Sequence, residues 1–339
     1  MIGKRVYRAV MRGLPAIATP LLAVALLAAA AERIQIRPQY NPGETMYYRI
    51  ELHTVSTGKT TTSILNPEGG TKFSQAVDFL IRVDVLPQNA SGASQMPQAG
   101  AARIRVTYEQ AHAETQSDAP EFDPPAGSEA YSKLGGHSVE FTLNSGGAVS
   151  SFQDPENVLS KLSNAAAALS WVKMFASTSG FPSRGISIGQ KWTGESPLTG
   201  APLAQLIWHT ESTYLRDEPC PARANILTGQ GAASAPQQCA VILTQSTVVH
   251  RGSRHADETP PDYLRHGLRT EGALTGSGER LDVYSLSSGL LVSSTETSTQ
   301  RADFDIVSAA NGEKIHRDGQ VQSQTVITRV AAPPPSVRP

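Results

Sequence analysis

Phe181-Pro182-Ser183-Arg184-Gly185-Ile186-Ser187-Ile188-Gly189-Gln190-Lys191-Trp192 is the stretch at which this chain changes character. Upstream of it lies the one strongly helical pattern, and downstream of it come only strand-like runs. Gly180 and Pro182 stop a helix, glycine by its left-handed freedom and proline by removing a backbone donor and forcing its predecessor out of helical geometry. Ile186, Ile188 and Trp192 read as an extended segment with one apolar face, and Gly189 permits a positive-φ turn within it.

Working backward, Asp154-Pro155-Glu156 supplies an N-cap, a proline at the first helical position and an acid in the first turn. The helix this predicts runs over about 155–176, with Val158, Leu162, Ala165, Leu169 and Val172 on one face. Trp171, Met174 and Phe175 fall on its other faces, so its last turns are apolar nearly all round. Such an end is either buried beneath 181–192 or offered as a contact surface. Trp171, Met174, Phe175, Phe181 and Trp192 are therefore the candidate contacts for an apolar ligand or a partner, with core anchoring as the plainer role.

Strand periodicity occupies the rest. Alternation over 45–55 sets Met46, Tyr48, Ile50 and Leu52 against Tyr47, Arg49, Glu51 and His53, after a turn at 40–44. Strands are also expected over 71–86, 102–111, 203–214, 222–227, 239–250, 268–286, 290–299 and 320–330. A hairpin joins 139–143 to 149–152 through Asn144-Ser145-Gly146-Gly147. Its pattern recurs position for position at 284–294, which reads as hairpin chemistry used twice rather than a duplicated half. Segments 57–70, 87–100, 114–136 and 251–265 are polar and rich in Gly or Pro, hence connections with too little apolar surface to pack. The proline-rich end, 331–339, reads as a disordered tail.

Lys4, Arg5, Arg8 and Arg12 precede an uncharged run over 13–31 that ends in alanines. That is the layout of an export signal cleaved after Ala31. An uncleaved inner-membrane anchor over 13–31 is the alternative, because the run is just long enough to span a bilayer. The expected organisation is thus 1–31 signal or anchor, 32–330 one large β-rich domain, and a tail. Localisation follows as periplasmic or extracellular. Removing four basic residues and no acidic one takes the formal charge from −1 to −5. A mildly acidic chain does not suit nucleic acid, and membrane contact is expected only through a retained N-terminus. Cys220 and Cys239 are the only cysteines, and in an exported chain they are expected to pair.

Catalytic patterns are sparse. His250, His255 and His266, with Asp257 and Glu258, are weak candidates for a metal site, but their spacing fits no ligand motif and Arg251, Arg254 and Arg265 lie among them. Asp303 and Asp305 sit at strand spacing and read as the polar face of a strand before a hydrolytic carboxylate pair. Gly185-Ile186-Ser187-Ile188-Gly189 has the Gly-x-Ser-x-Gly spacing of a nucleophile elbow but leads from the expected helix into strands rather than from a strand into a helix, and no phosphate loop is present in the sequence. No cofactor is expected.

Phe181, Pro182, Ile186, Ile188, Gly189 and Trp192, with Pro42-Gly43-Glu44 and Tyr47-Tyr48 upstream, resemble a motif of exported bacterial β-rich protein families without an assigned activity. Gly185 stands where those proteins often have proline, and Gln190-Lys191 where they have a more acidic pair. The resemblance implies a long antiparallel sheet curled over a helix, similar in outline to the half-barrels of periplasmic lipoprotein carriers. It carries over no catalytic residue.

The expected fold is mainly β (α+β), a long curved antiparallel sheet or half-barrel packed on one principal helix. The expected function is non-enzymatic binding, in the cell envelope, of an apolar small molecule, a lipid or an envelope protein. A structural scaffold with a filled core is the alternative, and a metal-dependent or carboxylate hydrolase the third reading.

Overall fold

A computed structural model of the chain describes residues 33–61, 70–87, 101–118, 131–144, 149–154, 180–198, 201–221, 237–251 and 259–333. Among them, eleven strands form one open, wholly antiparallel sheet: β1 (Thr45–Thr61), β2 (Thr71–Leu86), β3 (Ala102–Ser117), β4 (Ser138–Leu143), β5 (Val149–Gln153), β6 (Lys191–Pro197), β7 (Leu206–Pro219), β8 (Gln238–His250), β9 (Leu268–Ser285), β10 (Leu291–Ser308) and β11 (Lys314–Val330). The spatial order is β5-β4-β3-β2-β1-β11-β10-β9-β8-β7-β6. The chain starts mid-sheet and steps outward to β5. It then crosses to the opposite edge at β6 and steps back until β11 closes against β1. That last pairing runs without a register break from Tyr47–Val330 to Thr61–His316, so the two halves are joined along nearly the whole of β1.

Six strands have 16 to 18 residues, about 55 Å at ~3.3 Å per residue. Each divides into an upper part that packs a core and a lower part that extends beyond it. In the upper part the period of two separates the faces sharply. Met46, Tyr48 and Ile50 of β1, Phe79, Ile81 and Val83 of β2, and Ile104, Val106 and Tyr108 of β3 point to one side and are at most 2% exposed. We call this the inner face. The same cluster takes in Tyr214 of β7, Ala240 and Ile242 of β8, Tyr284 of β9 and Ile327 of β11. The outer face carries ion pairs instead, among them Arg82 with Asp84 and Glu109, and Glu140 with Arg103 and Arg105.

Two segments without regular structure close the upper inner face. Residues 33–44 cross it, tied by reciprocal 2.8 Å hydrogen bonds between the backbones of Ile34 and Ile186 and by the 2.8 Å bond that the Gln39 amide donates to the Ser288 carbonyl. Ile36 and Ile186 are buried in the main core there. The turn from β9 to β10 meets this segment so closely that a Cβ on Gly289 (φ +66°) lies 2.0 Å from the Arg37 carbonyl oxygen, a position only glycine can hold.

Cys220 and Cys239 form the expected disulfide, with Cα atoms 5.0 Å apart. It ties the end of β7 to the start of β8 and forms, with Val283 and Val292, a second small cluster.

Several sequence expectations need correction. The helix over about 155–176 lies outside the described residues, and the described residues give no support to a sheet packed on a principal helix. The described cover of the inner face is 33–44 and 181–190. The one named helix among the described residues is the short α1 (Pro261–Arg265). Ile186 and Ile188 do not share a buried face: Gly189 (φ +82°) turns the chain, and Ile188 is 57% exposed. Residues 114–136 were expected not to pack, yet Tyr131 and Leu134, in a short helical turn before β4, are 5% and 0% exposed. Strands β1, β3 and β10 run well past their expected ends at 55, 111 and 299.

Candidate functional site

The lower inner face is where side chains are placed but not consumed by the core. Register carries the period of two down from Ile50 to Leu52, Thr54 and Ser56 on β1. The cross-strand partners of these residues define bands across the sheet. One band consists almost wholly of small polar residues: Gly194, Thr210, Ser246, Gly278, Ser298, Ser323, Thr54, Gln75 and Thr115. The next band down regains apolar groups, with Trp208, Val248, Val321 and Phe73. Trp208 and Val248 lie over Gly276, where a Cβ would sit 3.2 Å from Trp208 Cη2 and 2.8 Å from Val248 Cγ2. The absent side chain of Gly276 thus makes room for the indole.

Two properties set this face apart. First, it is sheltered on β9 and β3, though not on β11, where Val321 is 36% exposed: along lower β9 the inner Leu274, Gly276 and Gly278 are half-buried while the outer Ala273, Thr275, Ser277 and Glu279 are exposed. The same contrast holds on lower β3, Thr115 against Glu114 and Gln116. Second, it is nearly neutral. On β1, β2, β3 and β4 no inner position is charged, whereas their outer positions hold Arg49, Glu51, Asp78, Arg82, Arg105 and Glu140 among others.

Charge enters the inner face at β9 and β10, between the core and the small-residue band, and at β11, where Arg329 and Arg317 take the inner positions opposite Tyr48 and Thr60. Asp282, 3% exposed, accepts hydrogen bonds from Arg280 Nε at 2.9 Å and from Ser294 Oγ at 2.7 Å. Beside it, Ser212 and Thr244 share a 2.9 Å hydroxyl contact. Glu296 faces Arg280 across the β9–β10 pair. Burial pushes the Glu296 carboxyl above its ordinary value; the Arg280 charge opposes this and the Asp282 charge adds to it. The arrangement is a fixed ion pair with a second carboxyl held partly toward its neutral form, which suits donating or accepting hydrogen bonds to a polar group rather than proton transfer alone.

Of the residues expected to contact a ligand, Phe181 and Trp192 are brought together. Their rings are 5.9 Å apart, and Phe181 also meets Tyr284 edge-on at 5.3 Å. Both pack against the core while remaining partly exposed, and by register Trp192 stands in the cross-strand row of Ser212, Thr244, Arg280 and Glu296. Trp171, Met174, Phe175 and His255 lie outside the described residues. His250 ends β8 and His266 caps α1. Among the described residues no group of three or more His, Cys, Asp or Glu is placed to hold a metal ion. Asp303 and Asp305 lie on β10, and Asp305 is held by Lys314 Nζ at 2.7 Å and His316 Nδ1 at 2.9 Å. Sequence reasoning missed Trp208, Phe73, Arg280 and Glu296, because their shared face emerges only once the β1–β11 pairing fixes the register of both halves. No described helix is long and apolar enough to cross a membrane.

These features define an open antiparallel β-sheet protein with a sheltered, nearly neutral lower inner face. No family model matches the chain, and no curated protein matches it. Among solved structures it is similar to lipovitellin, in a study of lipid–protein interactions, at 13% identity and TM-score 0.43; the likeness covers 88% of this chain and 27% of that one. It is also similar, at 8% identity and TM-score 0.18, to the outer membrane protein OprG from Pseudomonas aeruginosa, over 86% of this chain and 99% of that one. The chain thus spans about a quarter of the length of lipovitellin. Both scores fall below the level at which likeness carries function, so the reading that follows rests on the faces of this sheet.

Proposed function

We propose that the protein is a non-enzymatic, exported binding protein of the cell envelope, and that its lower inner face holds an amphipathic ligand of the lipid class. In this reading the sheet curves about that face, the apolar part of the ligand lies along Trp208, Val248, Val321 and Phe73, and its polar end reaches Arg280 and Glu296. The single observation that carries the reading is the sheltered and almost charge-free lining of a face that the core does not fill. Sheltered apolar surface with a few convergent polar groups is the usual build of a small-molecule site. The disulfide supports an oxidising compartment, and removal of 1–31 on export belongs to the same proposal.

The filled upper face, with Phe79 and Val106 at 0% exposure, favours a second reading in which the protein is an envelope scaffold that binds nothing there. Titration with a phospholipid brominated along its acyl chain separates the two. A binding face gives saturable quenching of tryptophan fluorescence, with the quenched component lost in Trp208→Phe. Absence of quenching in the folded wild type leaves the scaffold.

A further inference from the structure

Among the described residues part of one sheet edge meets no further strand, and the sequence along it is nearly its own complement. β4 pairs with β3 from Ala102 to Thr107, and Tyr108 bonds His137 and Gly136 by backbone groups directed away from β2. Past a bulge at Leu80/Ile81, β3 continues from Gln110 through Gln116 paired to β2 alone. Asp118 then donates its amide to the Lys72 carbonyl, which directs the even-numbered residues of this stretch toward β2. By alternation Ala111, Ala113 and Thr115 direct their backbone N–H and C=O outward, where no described strand meets them. Thr115 Oγ1 is also buried without a hydrogen-bond partner.

The stretch reads Gln110-Ala111-His112-Ala113-Glu114-Thr115-Gln116. Turned about Ala113 and laid antiparallel on a second copy, it opposes Gln110 with Gln116, Ala111 with Thr115 and His112 with Glu114. The small residues meet on the inner face. The imidazole and the carboxylate, each 69% exposed and 3.2 Å from one another within the chain, meet their counterparts on the outer face, so that the pair within each chain exchanges partners across the seam. Because Ala111, Ala113 and Thr115 carry the outward backbone groups, His112 and Glu114 fall at non-hydrogen-bonded sites, where cross-strand side chains approach most closely. Exposed edges are normally guarded by charges that repel another edge; here the two charges attract their counterparts in a second copy.

We infer that the protein forms a two-fold symmetric dimer in which β3 of each copy pairs antiparallel about Ala113, extending two sheets into one. The occupant of the edge is a second copy, because the edge complements itself in charge and in size in one register. The inference is independent of what the inner face binds.

Sedimentation of the mature protein over a range of concentrations tests it. The wild type is expected to show a monomer–dimer equilibrium. His112→Glu, which sets four carboxylates along the seam, is expected to weaken the dimer by roughly tenfold or more. The exchange His112→Glu with Glu114→His recreates the pairing in reverse and is expected to restore it. Both positions are solvent-facing, so circular dichroism melts of the variants are expected to match the wild type. A wild type that stays monomeric to about 100 μM, far above the range of specific association, overturns the inference. A dimer that ignores both variants overturns it as well.

Discussion

Single residues carry opposite electrostatic signatures on the two faces. Burial raises Glu140, but hydrogen bonds from Arg105 and Arg103 and their charges outweigh it, so its carboxyl lies below the ordinary 4.5. A lowered folded value stabilises above 4.5 and loses that stabilisation as pH falls through the folded value. Glu296 is raised by burial, so its contribution is present below 4.5 and is lost as pH climbs toward its folded value. Thermal melts from pH 3 to 8 are expected to show Glu140→Gln removing an acid-side loss of stability, and Glu296→Gln removing a loss on the rising side. Identical pH profiles for wild type and both variants would show these carboxyls to be bystanders. At Gly289, alanine must hold a left-handed φ and meet the Arg37 carbonyl. Gly289→Ala is expected to cost about 1–3 kcal/mol, read as a fall in denaturation midpoint.

Elements explain how much of this could be foreseen. β2 was legible to its ends, because Val77, Phe79, Ile81, Val83 and Val85 alternate against mostly polar neighbours, and of the outer set only Leu80, at 5%, is buried as well. Lower β1 from Thr57 onward reads as a connection, because Thr57, Gly58, Lys59, Thr60 and Thr61 are polar or small on both faces and offer no contrast for a period of two to reveal. Its strand state is imposed by β2 and β11 on either side. The pairing of β1 with β11 was not legible at all, since no local signal links residues separated by most of the chain; without it, Trp208 and Phe73 are two unrelated aromatics. Cys220 and Cys239 were legible because pairing needs only compartment and count. The disulfide bridges a separation of 19 residues. Replacing both cysteines by serine is expected to lower stability by ~3 kcal/mol on the chain-entropy model, measured by urea unfolding. An unchanged midpoint would mean that the β7–β8 pairing holds the loop by itself.

At the scale of the molecule, the sheet is divided by length: its upper part is a packed core that fixes the fold, the far end of β9 and β10 buries Phe304, Ile306 and Thr270, and the face between presents side chains that neither cluster consumes. Edges are kept short at β5 and β6, which limits unguided association. Ile34 is hydrogen-bonded to Ile186 and Ile36 is buried, so the segment 33–44 is built into the upper core. A chain beginning at Tyr40 is expected to lose Ile36 from that core and melt several degrees lower, by about 2 kcal/mol or more for the buried isoleucine. Native mass spectrometry of the protein, purified from its native host with membranes present until the final step, decides whether the lower inner face holds an amphipathic ligand. A stoichiometric, organic-extractable adduct is expected, absent from folded Trp208→Asp and Phe73→Asp variants. An apo mass for the wild type, or an adduct that both variants retain, would contradict binding there.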